Sequence, residues 1–320
     1  MTVNNRTIRV LGIIVLILVA VYAITWISAA RRTGKHLQDL AGQEPDKVMD
    51  ALAALRDRGN AVAPRLAELV TAGQPEAAPR AAWLLGMIGS HAGDAQLLQA
   101  VQAPDPMLRI AAMQALGQLR AESAVPVLSG VLSNQSEKSE LRVAAAYALG
   151  DIGQPGSVTV LIAALGERPK PEEPAAAVVA APAAPAPPPP PDTALPVRIA
   201  AARALGLLRQ SSSVDALVLA TSKVEPSPEV RLAAANALGD AAAVAEDMDV
   251  LRKAVGGLLP GLEDESGDVR VACVYSLGKV SPPEDMMQTV TTAVNKAKDN
   301  PGYWTRRAAA RSALLLRLPE

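Results

Sequence analysis

The chain has no phenylalanine at all, and its three tryptophans and four tyrosines make up only 2% of its residues. A single large globular core filled by bulky aromatic side chains is therefore excluded. One cysteine, Cys273, rules out an internal disulfide framework. Two histidines, His36 and His91, leave little material for a metal centre. Lys plus Arg (31) nearly equals Asp plus Glu (32), so there is no overall basic excess of the kind a nucleic-acid binder carries. No nucleic-acid partner is expected, and no cofactor.

What the chain has in quantity is alanine, the best helix former, which also lets helix backbones approach closely. The alanines fall in a recurring phrase. Arg142-Val-Ala-Ala-Ala-Tyr-Ala-Leu-Gly150 is echoed by Arg109–Gly117, Arg198–Gly206, Arg231–Gly239 and Arg270–Gly278. A degenerate copy, Ala78–Gly86, precedes them, and Arg307–Leu315 follows with Leu in the Gly position. The spacing between these ends is 31, 33, 56, 33, 39 and then 37 residues. Periods in this range are the mark of stacked supersecondary units, each of which buries a face against its neighbours.

Each phrase reads as a first helix. Asp105-Pro106, Ser227-Pro228 and Asn300-Pro301 place a capping residue before a proline at the start of three of them. A shorter second helix is expected over 94–101, 124–132, 157–165, 214–221, 248–262 and 286–296. An earlier, divergent hairpin is expected from 46–58 and 61–70, ended by Gly59 between them.

The 56-residue step contains 169–193, with five consecutive prolines from Pro187 to Pro191. It favours extended polyproline II and is expected to loop out between stacked hairpins, as a spacer or as a docking segment for a proline-reading partner.

Before the repeats, 1–9 reads as a polar tail, 10–30 as a transmembrane helix and 31–45 as a polar connector. Val10–Ala30 is uncharged and would span about 31 Å as a helix, close to bilayer thickness, with Tyr22 and Trp26 near one end. The competing reading is a cleaved signal peptide ending at Ser28-Ala29-Ala30, but the apolar run exceeds the usual h-region. The expectation is a single-pass membrane protein. Arg31, Arg32 and Lys35 place the body on the cytoplasmic side, whereas Arg6 and Arg9 in the short tail also fit an N-in anchor.

The phrase acid-x-Arg-x-Ala-Ala-x-x-Ala-Leu-Gly, with Glu140, Glu229 and Asp268 two residues before their arginines, resembles the HEAT repeat in its short phycobilisome-lyase-like form. The resemblance covers about 46–317. It implies an all-α fold, an α-solenoid or right-handed superhelix of antiparallel helix pairs, and a protein-binding scaffold. It also leaves open a lyase-like enzyme or chromophore-handling protein. The iron-holding His-Glu pairs of the deoxyhypusine hydroxylase branch are absent, since His36 and His91 precede Leu37 and Ala92.

Two residue sets are candidates for function. Arg109, Arg142, Arg198, Arg231 and Arg270 are read as structural, each satisfying an acid or carbonyl of its own or the next repeat. Positions five and nine after each arginine share a helix face. Trp83, Gln114, Tyr147, Arg203, Asn236 and Tyr275 are the fifth positions. They form either an ordinary solvent face or a partner-binding stripe anchored by the aromatics. Cys273 stands in a column otherwise filled by alanine and reads as a small buried residue. No phosphate loop or Ser-His-Asp set stands out. The expectation is a membrane-anchored, non-catalytic adaptor whose unknown protein partners are themselves membrane-associated.

Overall fold

The computed structural model describes the backbone of residues 5–167 and 194–317, with side chains from residue 13 onward. Among the described residues there are sixteen α-helices and no strand. Contacts divide the chain into two compact units, Met1–Ala115 and Leu116–Glu320.

The first unit holds α1 (Asn5–Asp39), α2 (Pro45–Asp57), α3 (Ala63–Thr71), α4 (Ala77–Ile88), α5 (Asp94–Ala100) and the start of α6 (Pro106–Gln118). Helix α1 does not stop where the apolar run ends. The expected polar connector 31–45 is helical as far as Asp39, because Leu37 and Leu40 are buried and α1 packs on α2. Arg80 holds the turn that follows, donating from Nη1 to the Leu40 and Gly42 carbonyls at 2.5 and 3.0 Å. The other end of α1 is different in kind: the apolar side chains from Ile13 to Ile27 are exposed. This is the one helix among the described residues that is long and apolar enough to cross a membrane. The expected polar tail is helical from Asn5, and its first four residues lie outside the described set.

The second unit holds the end of α6 and then α7 (Val125–Ser133), α8 (Ser139–Ile152), α9 (Val158–Leu165), α10 (Leu195–Leu208), α11 (Val214–Thr221), α12 (Pro228–Ala242), α13 (Met248–Leu258), α14 (Gly267–Lys279), α15 (Glu284–Lys298) and α16 (Tyr303–Leu315). The motif helices α8, α10, α12, α14 and α16 pack each on the next, while α7, α9, α11 and α13 form a second row behind them. This is an α-solenoid. Helix α10 packs directly on α8 and α9, so the row continues past the proline-rich 169–193, which itself lies outside the described residues.

The motif follows from how these helices meet. Its closing glycine lies against the small residue at the sixth position after the arginine in the next motif helix. A Cβ at Gly117 would lie 3.0 Å from the Ala148 Cα, one at Gly150 2.9 Å from the Ala204 Cα, and one at Gly206 2.9 Å from the Ala237 Cα. The same relation joins Gly239 to Ser276 (3.0 Å) and Gly278 to Ser312 (2.9 Å). Neighbouring helices thus touch backbone to backbone, which only Gly facing Ala or Ser permits. The buried third-position residues Ala145, Ala201, Ala234 and Cys273 continue that surface inward.

This contact corrects the phase of the last copy. Ser312 is the sixth residue after Arg306, so the copy runs Arg306–Leu314 and not Arg307–Leu315. Its start also differs from expectation: Asn300 Oδ1 accepts from the Gly302 N–H at 2.9 Å, and the helix begins only at Tyr303. The second helices lie close to their expected positions, except that the 248–262 segment breaks at Leu258 into a 3₁₀ turn, Leu259–Glu263.

Candidate functional site

The repeat arginines are buried or half-buried, and the acids they pair with in the second unit lie further along the chain, in their own or the next repeat, and not two residues upstream. Arg142 pairs with Glu167, its Nε donating also to the Leu132 carbonyl at 2.8 Å. Arg198, 1% exposed, donates to Glu225 Oε1 at 2.8 Å. Arg231 grips Asp264 with two parallel bonds of 2.9 Å. Glu229, the upstream acid of Arg231, instead accepts from the Ser227 hydroxyl at the helix start.

The acids that matter sit six residues before the next repeat's arginine: Glu225 before Arg231, Asp264 before Arg270. Each has two roles. Its carboxylate takes the preceding arginine and accepts from a backbone N–H two residues on, Ser227 at 3.0 Å and Ser266 at 2.8 Å. Its own carbonyl accepts from the following arginine, 2.8 Å from Arg231 and 2.6 Å from Arg270. The result is a buried relay, Arg198–Glu225–Arg231–Asp264–Arg270, that crosses three repeats. Burial opposes charge on Asp264, but the Arg231 fork and the Ser266 amide outweigh it and hold the carboxyl below its usual range. Asp264 in turn raises the Arg231 guanidinium above its ordinary value. In the first unit, Arg109 Nε donates to the Val101 carbonyl at 2.8 Å. With their charges directed inward, Arg142, Arg198 and Arg231 serve the fold. The six-residue offset shared by Glu225 and Asp264 was the signal that could have found them.

The fifth- and ninth-position residues face outward. In the first unit Trp83 and Met87 are exposed one turn apart on α4, and Gln114 is exposed on α6. In the second unit these positions touch across repeats. Arg203 Nη1 donates to the Tyr147 hydroxyl at 3.0 Å, tying α10 to α8. Lys279 Nζ bonds Asp240 at 2.7 Å and lies 4.7 Å from the Tyr275 ring centroid. Arg311, the fifth position of the corrected last copy, covers the same ring at 5.1 Å. Asn236 is half-buried and bonds its own helix at Leu232 O. The strip also holds Asp151, whose carboxyl burial pushes up, against the pull of Arg120. It is a surface of aromatic rings and mixed charges.

Cys273 is fully buried, and burial, with the nearby Asp264 charge, pushes its thiol up to about 12. The thiolate needed for nucleophilic or ligand chemistry is thus suppressed. A Cβ at Gly261 would collide with its sulfur, so the thiol fills a packed site. Among the described residues no cluster of His, Cys, Asp and Glu could hold a metal.

Residues 94–181 match the family of HEAT repeats, and 197–222 match the PBS lyase HEAT-like repeat. These segments are HEAT-like repeats. No curated protein sequence matches the chain. Among solved structures, an engineered protein is similar with a TM-score of 0.52 at 19% identity, over 89% of this chain and 78% of that one. The complex of CpcE and CpcF of phycocyanin lyase from Nostoc gives a TM-score of 0.41 at 20% identity, over 74% and 90%. Human deoxyhypusine hydroxylase in complex with glycerol gives 0.36 at 17%, over 93% and 100%. At such identities the likeness concerns the fold alone. Two segments of the chain thus resemble HEAT-type repeats, and the fold is an α-solenoid.

Proposed function

We propose that this protein is a membrane-anchored, non-catalytic adaptor that holds a protein partner against the outward strip of its motif helices. The observation that carries the reading is the joining of fifth- and ninth-position side chains across repeats, Tyr147 with Arg203 and Asp240–Lys279–Tyr275–Arg311. Such contacts pre-order rings and charges on one surface, and pre-ordered aromatic and arginine side chains are what dominate interface energetics. Arg142, Arg198 and Arg231, by contrast, are committed inward. The exposed apolar side chains of Ile13–Ile27 support a single anchor helix, and Arg31, Arg32 and Lys35 beyond it support a cytoplasmic body.

The test is site-directed photocrosslinking in native membranes. A crosslinker replacing Tyr147 or Tyr275 should yield the same discrete protein adduct, whereas one replacing Ser129, on α7, should not. Alanine at Tyr147 and Tyr275 should abolish that adduct from a crosslinker at Arg203 while leaving helicity unchanged. A stoichiometric pigment or metal on the purified protein would overturn the non-catalytic reading. Release of the protein by carbonate, or a mature N-terminus at Arg31, would overturn the anchor.

A further inference from the structure

The Arg–acid relay stops at Arg270, and the reason is one residue. Six positions before Arg306, where Glu225 and Asp264 stand in the two preceding repeats, the chain has Asn300. Asn300 keeps half of the role, its Oδ1 accepting from the Gly302 N–H at 2.9 Å as Asp264 accepts from Ser266 at 2.8 Å. It lacks the charge that would take the preceding arginine. Arg270 therefore has only the Asp264 and Glu265 carbonyls, both on Nη1, at 2.6 and 3.0 Å. Its Nε is buried without a hydrogen-bond partner.

Arg270 lines a cleft of about 1170 Å³ between the 259–263 turn, α15 and the 299–301 turn. Leu259, Leu262 and Ala293 give it an apolar wall, and Lys296 and Asn300 are on its rim. Most acids of the rim are already neutralised: Glu263 by Lys296 at 2.8 Å, Asp285 by Arg252 at 3.2 Å, and Asp264 by Arg231.

We infer that this cleft binds the carboxylate side chain of an acidic segment from a partner protein, which takes on Arg270 the place that Asp264 takes on Arg231. The ligand class follows from the repeat itself. The same guanidinium, one repeat earlier, is matched by an aspartate in a two-bond fork, a geometry that selects planar carboxylates. The apolar wall gives the flanking residues of such a segment something to bury. This site is separate from the outward strip and does not depend on the reading proposed for it.

The probe is a fluorescein-labelled peptide copying 263–267, Glu-Asp-Glu-Ser-Gly, because its Asp fits the equivalent guanidinium of Arg231 one repeat earlier. It is titrated against the full chain in detergent and read by anisotropy. Saturable binding is expected, lost when the peptide's Asp is replaced by Asn. Arg270→Lys, which keeps the charge but not the fork, should weaken binding about tenfold or more. Asn300→Asp should do the same by supplying the carboxylate in cis, and should raise the melting midpoint. Tyr147→Ala should leave binding unchanged. Absence of saturable binding, or equal binding by Asn300→Asp, overturns the proposal. So does a loss of melting stability in Asp299→Asn that matches the loss in Arg270→Lys, for then Asp299 already fills the slot.

Discussion

Replacing Gly206 by alanine tests the packing of the motif helices through the sign of the effect. In an unconstrained helix interior, Gly→Ala stabilises by about 1 kcal/mol. At Gly206 the added methyl would stand 2.9 Å from the Ala237 Cα and 3.0 Å from its Cβ. Carbon atoms settle at about 3.5–4.0 Å, so α10 and α12 would have to part by roughly 0.5–1 Å. The neighbour is a backbone Cα, which cannot rotate away. Overpacking of this kind costs about 1–3 kcal/mol, and the parting also weakens the other contacts along the interface. The net expectation is destabilisation by about 1–2 kcal/mol. Gly130 is the control: it lies inside α7 with nothing within 4 Å of a built Cβ. There Gly→Ala should stabilise by about 0.5–1 kcal/mol. Urea unfolding of the full chain in detergent, followed by circular dichroism, reads both. If Gly206→Ala were as stable as the parent or more so, the backbone contact would not govern how these helices pack.

Three further outcomes are expected. Ala234, fully buried at the third motif position, should tolerate leucine poorly, losing about 1–3 kcal/mol, whereas Gln114→Leu on the exposed face should change stability by about 0.5 kcal/mol at most; equal effects in thermal melts would refute the helical phase. Asp264 has a folded pKa held below its unfolded value, so its contribution is full above the unfolded value near 3.8 and is lost as pH falls through the lower folded one. Acid melts should therefore show a loss of stability below about pH 4 that is smaller in Asp264→Asn than in the parent. The Cys273 thiol should resist iodoacetamide at pH 8 in the folded chain and react once urea unfolds it; rapid labelling of the native protein would contradict its burial.

Much of the fold was legible because one contact is repeated. The glycine at the motif's end and the small residue at its sixth position are both fixed by the same backbone approach, so their spacing carries through the sequence. Legibility failed where that code has a choice. In the last copy two arginines are adjacent, and the Gly278–Ser312 contact together with the carbonyls that Arg306 reaches, Asn300 and Pro301 at 2.8 Å each, decide between them. The partners of Arg142, Arg198 and Arg231 were missed because they lie 25 to 33 residues away. Nearby acids in the first helical turn drew attention for a reason that belongs to helix capping. The end of α1 was read as connector because its charges, Arg31, Arg32 and Lys35, mask the buried Leu37 and Leu40 on its other side. The outward strip was legible as a face but not as a set of contacts, since Arg203–Tyr147 joins residues 56 apart across the insertion.

The uniformity of the glycine contact bears on how such a chain can change length. The approach is 2.9 Å between Gly150 and Ala204, where 53 residues intervene, and again 2.9 Å between Gly206 and Ala237, where 30 do. Each motif helix thus presents the same socket on one side and the same plug on the other, whatever the loop between them. A unit removed whole, from Arg198 to Val230, would bring Gly150 to face Ala237, a joint of the kind already present three times. Gain or loss of a complete repeat is then a change in count with no change in fit, and the length of the second unit becomes adjustable in fixed steps.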